Sequence, residues 1–89
     1  MQNLQLILAG PYQACLNTKK IWNEACKQYS LEIEITNLDE QLGKTLEKDL
    51  NIKSFPAFIV NNEVKAVGHP NKDAAFELVK KLFEKNKQA

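Results

Sequence analysis

Leu50-Asn51-Ile52-Lys53-Ser54-Phe55-Pro56-Ala57-Phe58 places an apolar residue and a small residue ahead of a proline, then runs into a strand. A proline has no N–H for a sheet ladder, so Pro56 belongs at a strand's entrance. Ala57 to Val60 and Val64 to Val67 are then two apolar runs around Asn61-Asn62-Glu63. Asparagine tolerates positive φ, so this is a hairpin. Gly68-His69-Pro70 ends its second strand.

Working outward, Leu4 to Ala9 is apolar enough for a strand buried on both faces, and Gly10-Pro11 breaks it. From Tyr12 or Gln13 to Tyr29 the spacing turns helical, with Cys15, Ile21, Trp22, Ala25, Cys26 and Tyr29 on one stripe. Leu31 to Thr36 alternates like a strand with one wet face. Asn37 or Asp39 can cap the next helix, where Leu38, Leu42, Leu46 and Leu50 recur every four residues. Gly43 is an internal weak point there, worth about 1 kcal/mol. Asn71 or Asp73 starts a last helix with Ala75, Phe76, Val79, Leu82 and Phe83 inward, and a frayed tail follows from about residue 85. The order is β-α-β-α-β-β-α. The long connection from Gly10 to Ser30 is a crossover between parallel strands, and the hairpin makes the sheet mixed.

Composition narrows the function classes. The chain has 89 residues, 44% of them hydrophobic and 26% charged, which fits one globular domain over 1–89 and no disordered tail. Two cysteines and one histidine make neither a disulfide scaffold nor a four-ligand zinc site, so no metal is expected. The formal net charge is +1, and all 12 basic residues are lysine. No field steers such a chain to nucleic acid or membrane, and no arginine fork reads phosphate or guanine. The longest apolar run is far below a membrane span and has no basic leader. The expectation is a cytoplasmic monomer with reduced thiols.

The element order and the proline segment resemble the thioredoxin-like superfamily. The resemblance spans essentially the whole chain, at glutaredoxin-like length and without the extra N-terminal strand and helix of full thioredoxins. It implies an α/β fold with a four-stranded sheet in the order 2-1-3-4 and a cis Phe55–Pro56 bond facing the first helix's start. It also places Gly68 beside the active site and the redox motif at Gly10-Pro11-Tyr12-Gln13-Ala14-Cys15.

The dithiol itself is missing. That chemistry needs an exposed thiolate at a helix N-terminus and a second cysteine three residues on. Two frames compete. In one, Tyr12-Gln13-Ala14-Cys15 replaces C-x-x-C, Tyr12 stands for the nucleophile, and Cys15 is the inner cysteine. In the other, Cys15-Leu16-Asn17-Thr18 is a C-x-x-T monothiol site. A phenol titrates near 10 and forms no disulfide, so Tyr12 is a binding or packing group. Cys15 and Cys26 lie roughly 16 Å apart along one helix, too far for a disulfide. Leu6 falls where thioredoxins often keep a buried acid. His69 reaches the groove rim near Tyr12 and Phe55, and a nucleophilic Cys15–His69 pair has no third orienting group. The lysines from Lys80 to Lys87 are the wet side of the last helix, interleaved with Glu77 and Glu84.

The expected function is recognition of a partner protein or extended peptide in a groove of Pro11, Tyr12, Phe55, Pro56, Gly68 and His69, with no cofactor. One alternative is an enzyme, a monothiol thiol-disulfide oxidoreductase whose catalytic residue is Cys15, acting with glutathione or a partner thiol. A second is a clock or regulatory partner, since Leu-Ile-Leu-Ala-Gly before a cysteine-poor helix start is similar to KaiB.

Overall fold

The computed structural model describes residues 3–10 and 12–88, with side chains as far as Glu84. Strand β1 (Leu4–Leu8) is buried along its whole length, as its unbroken apolar character predicts. It lies inside a four-stranded sheet ordered β2-β1-β3-β4, with β2 (Ile33–Asn37), β3 (Ala57–Val60) and β4 (Glu63–Val67). β1 runs parallel to β2 and antiparallel to β3, and β3 is antiparallel to β4. The expected strand order and mixed sheet are present. Asn61 and Asn62 take φ of 51° and 66°, and Val60 pairs with Glu63, so the hairpin turns on two residues.

Helix α1 (Gln13–Gln28) and helix α3 (Lys72–Gln88) cover one face, and helix α2 (Gln41–Asp49) covers the other. Cys15, Trp22, Ala25 and Cys26 of α1 pack with Leu4, Leu6, Leu8, Phe58 and Val60 of the sheet and with Ala75, Val79 and Leu82 of α3. Trp22 stacks on Phe58 with ring centroids 4.0 Å apart and planes 5° from parallel. Ile7, Leu46, Ile52, Ala57 and Ile59 form a smaller cluster under α2. Asn71 caps α3, its Oδ1 accepting from Ala74 N–H at 2.7 Å.

Three sequence expectations need correction. β2 begins at Ile33 instead of Leu31, because Leu31 N–H is spent on Cys26 O at 2.9 Å in the turn that ends α1. Ser30, at φ 55°, supplies the left-handed residue of that turn. Neither Asn37 nor Asp39 caps α2. Glu40 is the N-cap residue, and its carboxylate turns back to accept from Asn37 N–H and Thr36 Oγ1. The four-leucine stripe is only partly helical. Leu38 and Leu50 flank α2, Leu46 is buried, and Leu42 is 40% exposed.

The backbone of α3 stays helical to Gln88, through the segment read as frayed from about residue 85. Lysine and glutamine are good helix formers. Gly43 is more than a weak point, since a Cβ there would run into the Asn37 carbonyl and lie 3.1 Å from Leu38 Cα. Among the described residues no helix is long and apolar enough to cross a membrane.

Candidate functional site

The end of β1, the start of α1 and the entrance to β3 meet at one end of the sheet. Tyr12 is the N-cap residue of α1, with an extended backbone and a side chain 65% exposed. Its ring folds back over Gly10, where a Cβ would come within 2.9 Å of Tyr12 Cε2. Glycine there leaves room for the ring. Pro11 lies outside the described residues.

Cys15 is the third residue of α1 and only 3% exposed, inside the main core cluster. Cys26 is fully buried, and burial pushes its thiol up to about 11, so it stays a neutral SH group. Both cysteines are free. Leu6 is fully buried among apolar neighbours.

On the facing side, the Phe55–Pro56 peptide is cis. Pro56 is buried, and its carbonyl accepts from Gly68 N–H at 2.7 Å. Gly68 sits at φ +81°, a region that favours glycine, and this sets the start of the β4–α3 loop beside Pro56. Phe55 is half-buried and packs against the cluster under α2. The ring contacts among the described residues are Trp22–Phe58 and Tyr29–Phe83, so Tyr12 and Phe55 do not stack. Phe55's own N–H and C=O have no backbone hydrogen bond among the described residues.

His69 is exposed but tethered. A 2.6 Å hydrogen bond joins its Nδ1 to Thr18 Oγ1, the hydroxyl donating when the ring carries its proton on Nε2. Thr18 is 1% exposed, one turn along α1 from Cys15. The histidine nitrogen is thus engaged by threonine, and no hydrogen bond joins it to Cys15 among the described residues. Sequence reasoning missed this contact. Its one signal was Thr18 itself, a polar side chain in line with the apolar stripe of α1.

Asn37 N–H and the Thr36 hydroxyl hold the Glu40 carboxyl below its ordinary 4.5. Lys80 and Lys81 are exposed on α3, but the ion pair formed among the described residues is Lys65–Glu63. Long side chains at such positions gain little by pairing. Lys85 and Lys87 have side chains outside the described residues. No three His, Cys, Asp or Glu side chains converge as metal ligands would, among the described residues.

This arrangement is that of a thioredoxin-like fold. The oxidised thioredoxin of Plasmodium falciparum superposes with a TM-score of 0.70 at 23% identity, covering 91% of this chain and 80% of that one. Mitochondrial thioredoxin 3 of Saccharomyces cerevisiae gives 0.69 at 13% identity, over 90% of this chain and 77% of the other. Thioredoxin O2 of Arabidopsis thaliana gives 0.66 at 17%, over 93% and 76%. At such identities the likeness is one of fold. No protein-family profile and no curated protein matches the sequence.

Proposed function

We propose that this chain is a thioredoxin-like recognition module without dithiol chemistry, binding an extended segment of a partner protein at the Tyr12–Pro56–His69 end of the sheet. The observation that carries this reading is the exchange of roles at the start of α1. Tyr12 is 65% exposed where the resemblance puts the nucleophile, and Cys15, at 3%, belongs to the core. A phenol offers a flat apolar body and one hydroxyl, which suits contact better than thiol exchange. The N–H and C=O of Phe55, which have no backbone partner among the described residues, supply a short backbone edge beside it. His69, held by Thr18, forms the rim.

Two measurements test the reading. Reduction of insulin by dithiothreitol should run at the uncatalysed rate with this protein present. Turnover well above background that Cys15→Ser abolishes would instead establish the monothiol enzyme. Peptides selected against the folded chain should lose about 1–3 kcal/mol of affinity with Tyr12→Ala. Unchanged affinity would remove Tyr12 from the binding surface.

A further inference from the structure

Thr18 is a polar side chain set into the buried stripe of α1, with Cys15 one turn before it and Trp22 one turn after. A buried hydroxyl that makes no hydrogen bond is costly, because it has given up water for nothing. Among the described residues Thr18 Oγ1 has one hydrogen-bond partner, His69 Nδ1 at 2.6 Å. The Ala14 carbonyl, the usual local acceptor for a threonine at this place in a helix, takes no bond from it.

This decides which ring nitrogen holds the proton. Were Nδ1 the donor, Thr18 Oγ1 would accept, and its own proton would lie buried without an acceptor. Both groups are satisfied only when the hydroxyl donates to a bare Nδ1. The neutral ring then carries its proton on Nε2.

The outer side of the ring is open. His69 is exposed, and Nε2 has no hydrogen bond to any described residue. In an imidazole the Nε2–H bond points away from the Nδ1 lone pair, so the donor faces out from α1. Gly68 N–H, bonded to Pro56 O at 2.7 Å, fixes the preceding residue against the entrance to β3. The donor is therefore held twice, through Thr18 on α1 and through Gly68 at the sheet end.

We propose that Thr18 is a positioning residue for His69, occupying Nδ1 so that Nε2–H is a fixed donor to an acceptor oxygen of the bound partner segment. This deepens the recognition function proposed above and rests on it. The acceptor is a main-chain carbonyl of the segment or a carboxylate on one of its side chains. A segment that presents a donor at that place, such as a lysine ammonium, sets two donors face to face and is rejected. A donor fixed before binding also loses little freedom when the partner arrives.

The first measurement needs no ligand, and the chain's single histidine makes its ring signals unambiguous. At about pH 8 a histidine ring is ordinarily neutral. The long-range proton–nitrogen spectrum of the isotope-labelled chain should show Nε2 protonated and Nδ1 at the shift of an accepting nitrogen. Thr18→Ser should keep that spectrum. Thr18→Val keeps the shape without the hydroxyl and should move Nδ1 to the shift of a free nitrogen. A proton on Nδ1 in the native chain, or an Nδ1 signal that Thr18→Val leaves in place, would overturn the proposal.

The second measurement titrates peptides recovered from a random heptapeptide display library on the native chain. Thr18→Val and His69→Phe should each weaken binding about fivefold to tenfold, the worth of one hydrogen bond, and Thr18→Ser by less than about twofold. The double variant should bind no more weakly than His69→Phe alone, because Thr18 acts through the ring. Additive losses would overturn that role. In the peptide, Ala in place of an Asp or Glu, or a thioamide in place of one amide, should reproduce the loss and so identify the acceptor. Loss from neither would remove His69 as the donor. Should Thr18→Val fail to fold, the native spectrum and the exposed His69→Phe still decide. Peptides that need Tyr12 but ignore His69→Phe would sink this inference and leave the recognition function standing, whereas peptides that Tyr12→Ala does not weaken would sink the function itself.

Discussion

Trp22 and Tyr12 show how placement decides what an aromatic side chain does. Trp22 is 2% exposed and stacked on Phe58, so it joins α1 to the middle of the sheet. Trp22→Ala should cost about 3–5 kcal/mol, because neighbours held by the sheet cannot close the void. Tyr12 is 65% exposed and rests on Gly10, so Tyr12→Ala should change stability by less than about 1 kcal/mol. Urea denaturation of both variants checks the pair. An equally severe loss with Tyr12→Ala would make it a core residue. A third change reads the motif frame. Under mild oxidant, Tyr12→Cys should form a disulfide with Cys15 if these two positions replace C-x-x-C, and two thiols that stay unpaired would favour the Cys15-x-x-Thr18 frame.

At the scale of elements, α2 and its junction with β2 carry the sharpest expectations. An exposed helical Gly→Ala change normally gains about 1 kcal/mol. Gly43→Ala should destabilise instead, because the new methyl meets the Asn37 carbonyl, which is backbone and has nowhere to go. A rise in denaturation midpoint for Gly43→Ala would refute that close approach. The same junction responds to acid. The folded Glu40 carboxyl titrates below its ordinary 4.5, so its contribution is present above that pH and is lost as pH falls through the lowered value. Glu40→Gln should therefore flatten the acid limb of the stability curve below about pH 4.5, as thermal melts across pH 2 to 7 would show. An unchanged slope would mean that Glu40 accepts no bond from Asn37 or Thr36 in solution.

Across the whole molecule, burial is unequally shared between the two sheet faces. Among the described residues, the α1–α3 side holds twelve buried residues in one cluster, and the α2 side holds five. Native-state hydrogen exchange should follow this division. Amides of β1 and β3 should open only with global unfolding, while those of α2 open at lower free energy through local fluctuation. Equal protection of α2 and β1 would show that the smaller cluster is as cohesive as the larger.

The primary structure alone determined the architecture, for a physical reason. Unbroken apolarity in Leu4–Leu8, helical spacing from Cys15 to Tyr29, and paired asparagines at the hairpin are local signals, and each acts within a few residues. Absence of a second cysteine three residues from Cys15 was equally plain to read. What only tertiary packing decided was which chemical groups meet. Thr18 finds His69, Phe55 packs on the α2 cluster and does not stack on Tyr12, and Glu40 takes the capping place that asparagine or aspartate held on local grounds. Those outcomes depend on contacts between segments distant in sequence, or on how the chain turns between two elements. No periodicity within one segment encodes them, which is why the site's members were legible as residue types while their partners were not.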